Sequence, residues 1–369
     1  MRLATYNVEN LFQRPAAMNQ ANFAAGLPAL SDLWKLNELI NKASYSATVK
    51  TQILATMANH PGLLEKGVSK FIRLQEIRDK LVRRRAAGPQ IEVNGRADWV
   101  GWFELVVEDL SEAATMNTGR IVDLLGADVL CVMEVENRTA LRRLNSQVIP
   151  QVSGTPYDHA MLIDGNDERG IDVGIMYRQS FELTRALSHA EDTDAQGEVF
   201  SRDCPEYEIK TPLGNTLLLL VNHLKSKSGI QSTSNAKRLR QATRVRQIYD
   251  QRHAEGFQFI AVLGDFNDTP NSPPLQPLLQ PASGLTDIMQ HPAFTNDGRA
   301  GTFDTGSASN KLDYILLSPA LATKVTGGGV ERRGVFAGAN GTLFPHLPEV
   351  TGPKDAASDH AALFADLNL

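Results

Sequence analysis

Cysteine is nearly absent from this chain: its 369 residues include two, Cys131 and Cys204. Two cysteines make no disulfide framework and lack metal-site spacing. Cys131 lies inside the apolar run Asp128-Val-Leu-Cys-Val-Met and reads as plain core, which fits a reducing compartment. No apolar run approaches the length that spans a bilayer, so no membrane span is expected. Charge of either sign is not in large excess: 37 basic and 42 acidic residues give a net charge of −5. That balance excludes global attraction to nucleic acid and makes any affinity for polyanions local. The N-terminus, Met1-Arg2-Leu3-Ala4-Thr5-Tyr6-Asn7-Val8, enters a strand pattern without a charged n-region, apolar h-region or small-residue cleavage site, so a cytoplasmic location is expected. There is no internal repeat, low-complexity tract or charged tail. What remains is an ordinary globular composition, 42% hydrophobic and 21% charged, long enough for one large domain or two ordinary ones.

The most informative stretch is Phe257-Gln-Phe-Ile-Ala-Val-Leu-Gly-Asp-Phe-Asn-Asp-Thr-Pro270. A near-continuous apolar run closed by turn residues reads as a strand buried on both faces. Asp265 and Asn267 then sit at its C-terminal rim. On an extended backbone residues i and i+2 point the same way, so a carboxylate acceptor and an amide donor face one pocket. Gly-Asp-Phe-Asn alone is equally consistent with a simple turn.

The chain supplies partners for it. Residues 2–12 alternate weakly and read as a short strand leaving through polar residues; further strands are expected at 128–133, 158–164, 171–178, 216–222, 257–264, 311–318 and 361–367, with helices near 112–125, 139–149 and 235–254. Strands that alternate with helices and also form adjacent hairpins suggest an α/β sandwich of mixed sheets, not a purely parallel doubly wound sheet. From about 16 to 118 the character changes. Stretches 29–43, 47–58 and 63–87 carry apolar residues at helical spacing and read as a helical insertion after the first strand. Its third helix would end in Arg83-Arg84-Arg85-Ala86-Ala87-Gly88-Pro89, a helix stop or a phosphate-contacting patch. The insertion leaves just after Asn7 and returns before the strand carrying Glu134. It is therefore expected to sit over or beside the active site and shape substrate choice; the alternative is that it packs on the outside of the sandwich and only adds stability.

Several expected strand ends deliver polar groups: Asn7, Glu134, Asn222-His223, Asp265-Asn267, Asp313 and Asp359-His360. Singly, each has a plain reading as a cap, a solvated end or a structural histidine. Together they suit a hard cation, because Mg²⁺ prefers oxygen ligands and needs only one or two carboxylates besides water and substrate phosphate. No Cys/His cluster with zinc spacing competes. A histidine held by a carboxylate can deprotonate water near neutral pH, which completes the parts for metal-assisted attack of water on phosphorus.

In this order the motifs Thr5-Tyr-Asn-Val-Glu-Asn10, Asp128-Val-Leu-Cys-Val-Met-Glu-Val135, Val221-Asn-His-Leu-Lys-Ser226, Gly264-Asp-Phe-Asn267, Leu312-Asp-Tyr-Ile315 and Ser358-Asp-His360 resemble those of the endonuclease/exonuclease/phosphatase superfamily, the deoxyribonuclease I-like fold. The resemblance runs from the first residues to the last, interrupted by the insertion. It implies a four-layer α/β sandwich, two packed mixed β-sheets flanked by helices, within a single domain. It also implies a Mg²⁺-dependent phosphodiester hydrolase, with Mn²⁺ as a substitute ion. A nuclease is the first expectation, with nucleic acid as partner; a phosphatase or phosphodiesterase for a small or lipid-linked ester is the alternative. A noncatalytic scaffold is a third reading, opposed by the retention of every motif residue.

By that resemblance Glu134 is the principal metal ligand with Asn7 beside it, and Asp265 and Asp359 are ligands if a second ion binds. His360 is the general base, oriented by Asp313. Asp265 and Asn267 position the water and stabilise pentacovalent phosphorus, while His223 donates to a nonbridging oxygen. Arg169, Asn222 and Lys225 are expected on the substrate. The glutamine that usually precedes the metal-binding glutamate is replaced by Met133. Around His223, residues Lys225, Lys227, Lys237, Arg238, Arg240, Arg244 and Arg246 form a locally basic stretch. They are either a solvated helix face or a phosphate-guiding rim.

Overall fold

The structure is a computed structural model that describes residues 1–18, 20, 25–86, 88–167, 170–227 and 230–369. Its larger unit comprises Met1–Phe12 and nearly everything from Leu110 to Leu369. Two six-stranded sheets form it. The first runs in the order Val325–Glu331, Ala362–Leu367, Arg2–Asn7, Val129–Val135, Asp172–Tyr177, His159–Ile163. The second runs Glu182–Leu187, Glu206–Lys210, Thr216–His223, Phe259–Asp265, Asp313–Leu317, Thr286–Asp287. In each sheet one central pair is parallel, Arg2–Asn7 with Val129–Val135 and Thr216–His223 with Phe259–Asp265, and the neighbouring pairs are antiparallel.

Period-two alternation along these strands separates the layers. Leu3, Val129, Cys131, Val173 and Ile175 face Leu217, Leu219, Val221, Ala261, Leu263 and Ile315 in one buried cluster between the sheets. The alternate residues Ala4, Tyr6, Leu130 and Val132 pack outward against Ile121, Val122 and Leu125 of the helix Glu112–Leu125. On the other side Leu218, Leu220, Ile260 and Val262 meet Ala242, Val245, Ile248 and Tyr249 of the helix Gln231–Ala254. Helix, sheet, sheet, helix is the four-layer α/β sandwich expected. Strands Glu182–Leu187 and Val325–Glu331 had no sequence signal; both are edge strands, half polar in one case and interrupted by Gly327, Gly328 and Gly329 in the other.

Residues Gln13–Asp109 form a second compact unit. Helices Leu27–Ile40 and Ala47–Ala58 are near their expected places. The third helix is not formed. A single turn, Leu63–Lys66, stops at Gly67, whose φ of 77° ends the helix in the left-handed region. The chain then becomes the strand Ile72–Arg78, paired antiparallel with Val100–Leu105. Ile72, Leu74, Phe103 and Leu105 enter a core with Leu36, Ile40, Ile53 and Trp99, whereas Ile77, within the stretch expected to be a helix, is 66% exposed. Arg83–Arg85 is an exposed strand paired with Gly88–Gln90, not a helix end. The insertion is thus mixed α and β, and the helix Glu112–Leu125 belongs to the sandwich. No helix among the described residues is long and apolar enough to cross a membrane.

Candidate active site

The sheet topology collects the polar strand ends at one rim. Parallel strands reach that rim at their C-termini, delivering Asn7, Glu134, His223 and Asp265, and their antiparallel neighbours start there, delivering Asp313 and, just ahead of Ala362–Leu367, His360. The register sets His223 beside Asp265 and Asp265 beside Asp313. Between the sheets, Asn7 Nδ2 donates to Asp265 Oδ2 at 3.1 Å and lies 3.3 Å from Glu134 Oε1.

Two local distortions aim these groups. Register runs from Val173 opposite Met133 to Asp172 opposite Val135, so Glu134 is the extra residue of a bulge, and its φ is 63°. A non-glycine residue in the left-handed region costs of order 1 kcal/mol or more, and such strain gathers at functional sites. At Gly264, where φ is 129°, a Cβ would stand 1.9 Å from the Asn222 carbonyl oxygen, so only glycine fits between the two parallel strands ahead of Asp265.

One half of the site is a carboxylate–histidine pair. His360 Nδ1 lies 2.8 Å from Asp313 Oδ2, leaving Nε2 to face Asp265 Oδ2 at 3.8 Å. The His360 ring is tilted against Phe303 with centroids 4.9 Å apart. Burial disfavours the imidazolium, but the charges of Asp313 and Asp265 and the Asp313 hydrogen bond outweigh it and hold the His360 pKa well above that of an ordinary histidine. Asp265, 1% exposed, is pushed up to about 7 by burial first; positive His360 and the Asn267 amide oppose, while Asp313 and Glu134 add to the rise. This site holds protons tightly unless another cation takes their place.

The other half offers oxygen. Glu134 Oε1 lies 3.3 Å from Asn7 Nδ2 and 3.6 Å from His223 Nε2, while its Oε2 is buried with no hydrogen-bond partner among the described residues. A buried carboxylate oxygen without a donor is costly, and a hard divalent cation is the partner whose chemistry fits it. Glu134, with Asp265 nearby, would hold such an ion. Asn7 departs from the expected ligand role, because its Oδ1 accepts from the Glu9 N–H at 2.9 Å and it turns its amide NH₂ to the two carboxylates, where it positions them as a donor. Asp265, Asp313 and His360 also bring one ligand atom each within 4.8 Å of one another. Within that triple Asp313 Oδ2 takes donors from both His360 and Thr302.

Asn267, at φ 55°, donates its backbone N–H to Asp265 Oδ1 at 2.8 Å and its amide to the Leu224 carbonyl at 3.1 Å. His223 Nε2 is 3.5 Å from Asp265 Oδ2. Asp359 is more peripheral, its Oδ1 3.9 Å from His360 Nε2. Asn222 departs from the expectation of substrate contact. Strand alternation turns it away from His223, and its amide donates to the Leu220 carbonyl at 2.9 Å in the fully buried outer layer. Lys225 is fixed through its backbone, the N–H donating to Gln241 Oε1 at 2.8 Å and the carbonyl accepting from Arg238 at 2.7 Å. Arg169 lies outside the described residues. The basic stretch is no open rim: Arg238 pairs with Asp268, Arg240 with Asp194, Arg244 with Asp192 and Arg246 with Asp250.

Sequence reasoning assigned no role to three residues that build the site. Ser358 Oγ donates to the Asn7 carbonyl at 2.7 Å and accepts from His360 N at 2.9 Å, and Glu9 Oε2 accepts from Asp359 N at 2.9 Å. Both stand inside the motifs and were legible there. Thr302, beside Asp313, comes from an irregular loop with no strand signal.

A model of the Endonuclease/Exonuclease/phosphatase family matches residues 99–328. The match includes Glu134, His223, Asp265 and Asp313 and leaves Asn7 and His360 to the geometry. A mannosyl-6-phosphatase of Bacteroides thetaiotaomicron VPI-5482 shares the fold with a TM-score of 0.50 and 15% identity, covering 70% of this chain and 92% of that one. An endonuclease/exonuclease/phosphatase family protein of Bacteroides thetaiotaomicron gives 0.50 and 15%, covering 69% and 86%. No curated protein matches.

Proposed function

The chain belongs to the endonuclease/exonuclease/phosphatase family and is a phosphoric ester hydrolase; from that premise we propose that it is a Mg²⁺-dependent phosphodiesterase, with a nuclease as the first reading. The observation that carries the proposal is the opposition of two half-sites: the buried, partnerless Glu134 Oε2, and His360 Nε2 held towards Asp265 by the Asp313 bond on its other nitrogen.

Asp313 fixes the tautomer and orientation of His360 so that Nε2 can take a proton from water, and it stabilises the imidazolium that results. Asp265 and Asn267 hold that water in line with the phosphorus. His223 Nε2 donates to a nonbridging oxygen as charge develops there. A divalent ion on Glu134, whose carboxylate Asn7 positions as a hydrogen-bond donor, would supply Lewis-acid polarisation of the ester and charge neutralisation. Asp359, peripheral here, is assigned to a second ion only.

A second reading is favoured by one observation. The arginines of the helix Gln231–Ala254 are paired with carboxylates, which removes a phosphate-guiding track and suits a small phosphate ester better than a long polyanion. Hydrolysis of bis(p-nitrophenyl) phosphate with and without EDTA tests the chemistry: turnover restored by Mg²⁺ is expected, and Glu134→Gln should need more metal for half-maximal rate. Metal-independent turnover, or an unchanged titration in the variant, overturns the metal assignment. A panel of DNA, RNA, cyclic nucleotides and phosphosugars then decides between the readings.

A further inference from the structure

The hydroxyl of Thr302 gives its one proton to a carboxylate of the site. Thr302, 1% exposed, donates from Oγ1 to Asp313 Oδ2 at 2.6 Å, and the same oxygen accepts from the backbone N–H groups of Asp313 at 3.1 Å and Leu312 at 3.3 Å. The oxygen it meets on Asp313 is the one that faces His360 Nδ1 at 2.8 Å, while the other carboxylate oxygen, Oδ1, is buried with no hydrogen-bond partner. The Asp313 carboxylate can therefore rotate about its own axis unless something outside the pair stops it. Thr302 Oγ1 is the other group that does.

The backbone of the same segment holds the histidine. Phe303 bridges His360 in antiparallel fashion, the Thr302 carbonyl accepts from Ala361 N at 2.7 Å, and Asp304 N donates to the Asp359 carbonyl at 2.8 Å. Residues 302–304 thus grip Asp313 by a side chain and His360 by the main chain. The segment is itself anchored, because Arg332, 5% exposed, donates to the Gly301 carbonyl at 2.7 Å and pairs with Asp297.

We propose that Thr302 is a positioning residue for the reaction, setting the Asp313–His360 pair in register through its hydroxyl; this rests on the phosphodiesterase reading of the site. Replacing Thr302 by valine keeps the volume and removes one donor and one two-fold acceptor, freeing Asp313 to turn. Serine restores both functions.

The test compares Thr302→Val and Thr302→Ser on bis(p-nitrophenyl) phosphate at saturating Mg²⁺, alone and in an Asp313→Asn background. Thr302→Val should lower kcat by about tenfold to a hundredfold, the usual range for a residue that orients a reacting one, with KM and the metal titration unchanged. Thr302→Ser should stay within about threefold of wild type. Because the hydroxyl acts through Asp313, the valine change should cost little more once Asp313 is asparagine. Equal losses from valine and serine, or the same valine loss in both backgrounds, overturn the proposal. Should Thr302→Val not fold, Thr302→Ala and Thr302→Cys carry the same comparison. A readout without turnover separates this proposal from the function itself: the downfield proton resonance of His360 Nδ1–H should weaken in Thr302→Val and persist in Thr302→Ser. If wild type hydrolyses no phosphate ester but the resonance behaves so, the phosphodiesterase reading fails and the positioning role stands; an unmoved resonance overturns the positioning role.

Discussion

The sandwich and the inserted unit answer differently to the same reading. In the sandwich, apolar runs such as Leu217–Val221 and Ile260–Leu263 are buried on both faces, so their identity as strands is written in consecutive residues. In the insertion, the strand Ile72–Arg78 finds its partner at Val100–Leu105, more than twenty residues on, and buries one face only. Its apolar residues, read together with Leu64 and Val68, fit a helical period as well as a strand period. A local pattern decides structure where burial is complete; where burial is one-sided, the distant partner decides it.

The candidate site follows the same rule. Asp265, Asn267, Glu134 and the Asp313–His360 pair were legible because each ends or begins a strand of the inter-sheet core. Direction was harder to see. Asn222 and His223 are adjacent in one motif, and the pleat sends one to the rim and the other to the outer layer. Thr302 was invisible because its loop has no period, and the bulge at Glu134 because a register shift involves two strands at once. The basic stretch from Lys225 to Arg246 looked available because its carboxylate partners, Asp192, Asp194 and Asp268, are remote in sequence or on another element.

The sharpest way to break the comparison is to ask whether chemistry resides wholly in the sandwich. His360→Ala should lower kcat on a generic diester by on the order of 10²–10⁴, the usual cost of losing a general base, with fold and metal binding retained. Steady-state kinetics with a Mg²⁺ titration measures it. More than a tenth of wild-type kcat remaining in the variant would move the base elsewhere.

A smaller effect concerns stability in the sandwich. Glu206 is 1% exposed; burial would raise its pKa, yet hydrogen bonds from His189 and Arg252 and the Arg252 charge bring it down to about 2. A depressed carboxylate stabilises the fold above its ordinary value of 4.5, and that contribution is lost as pH falls from there through about 2. The shift corresponds to about 3 kcal/mol. Denaturant unfolding followed by circular dichroism at several pH values should show wild type losing stability over this interval more steeply than Glu206→Gln. Parallel curves would remove Glu206 from the account. All three tryptophans, Trp34, Trp99 and Trp102, lie in the insertion, so tryptophan emission follows that unit and leaves the sandwich to the dichroism.

The smallest effect on chemistry, and the most informative about specificity, is expected from removing the insertion. Leu110 N donates to the Phe12 carbonyl at 2.9 Å, so the sandwich receives the chain back where it let it go. A short Gly/Ser link can replace 13–109 without stretching either end, and loop closure costs little when the ends already meet. Neither Asn7 nor Glu134 lies in the replaced stretch, and among the described residues the core between the sheets is built without 13–109. The shortened protein should therefore fold and hydrolyse bis(p-nitrophenyl) phosphate within about threefold of wild type, a difference of less than 1 kcal/mol in barrier. Our expectation that the insertion shapes substrate choice predicts something further: the ranking of DNA, RNA, cyclic nucleotides and phosphosugars should change while the generic rate does not. The same ranking at the same generic rate would reduce the insertion to added stability. A lost generic rate in a folded protein would mean instead that residues 13–109 support the chemistry itself.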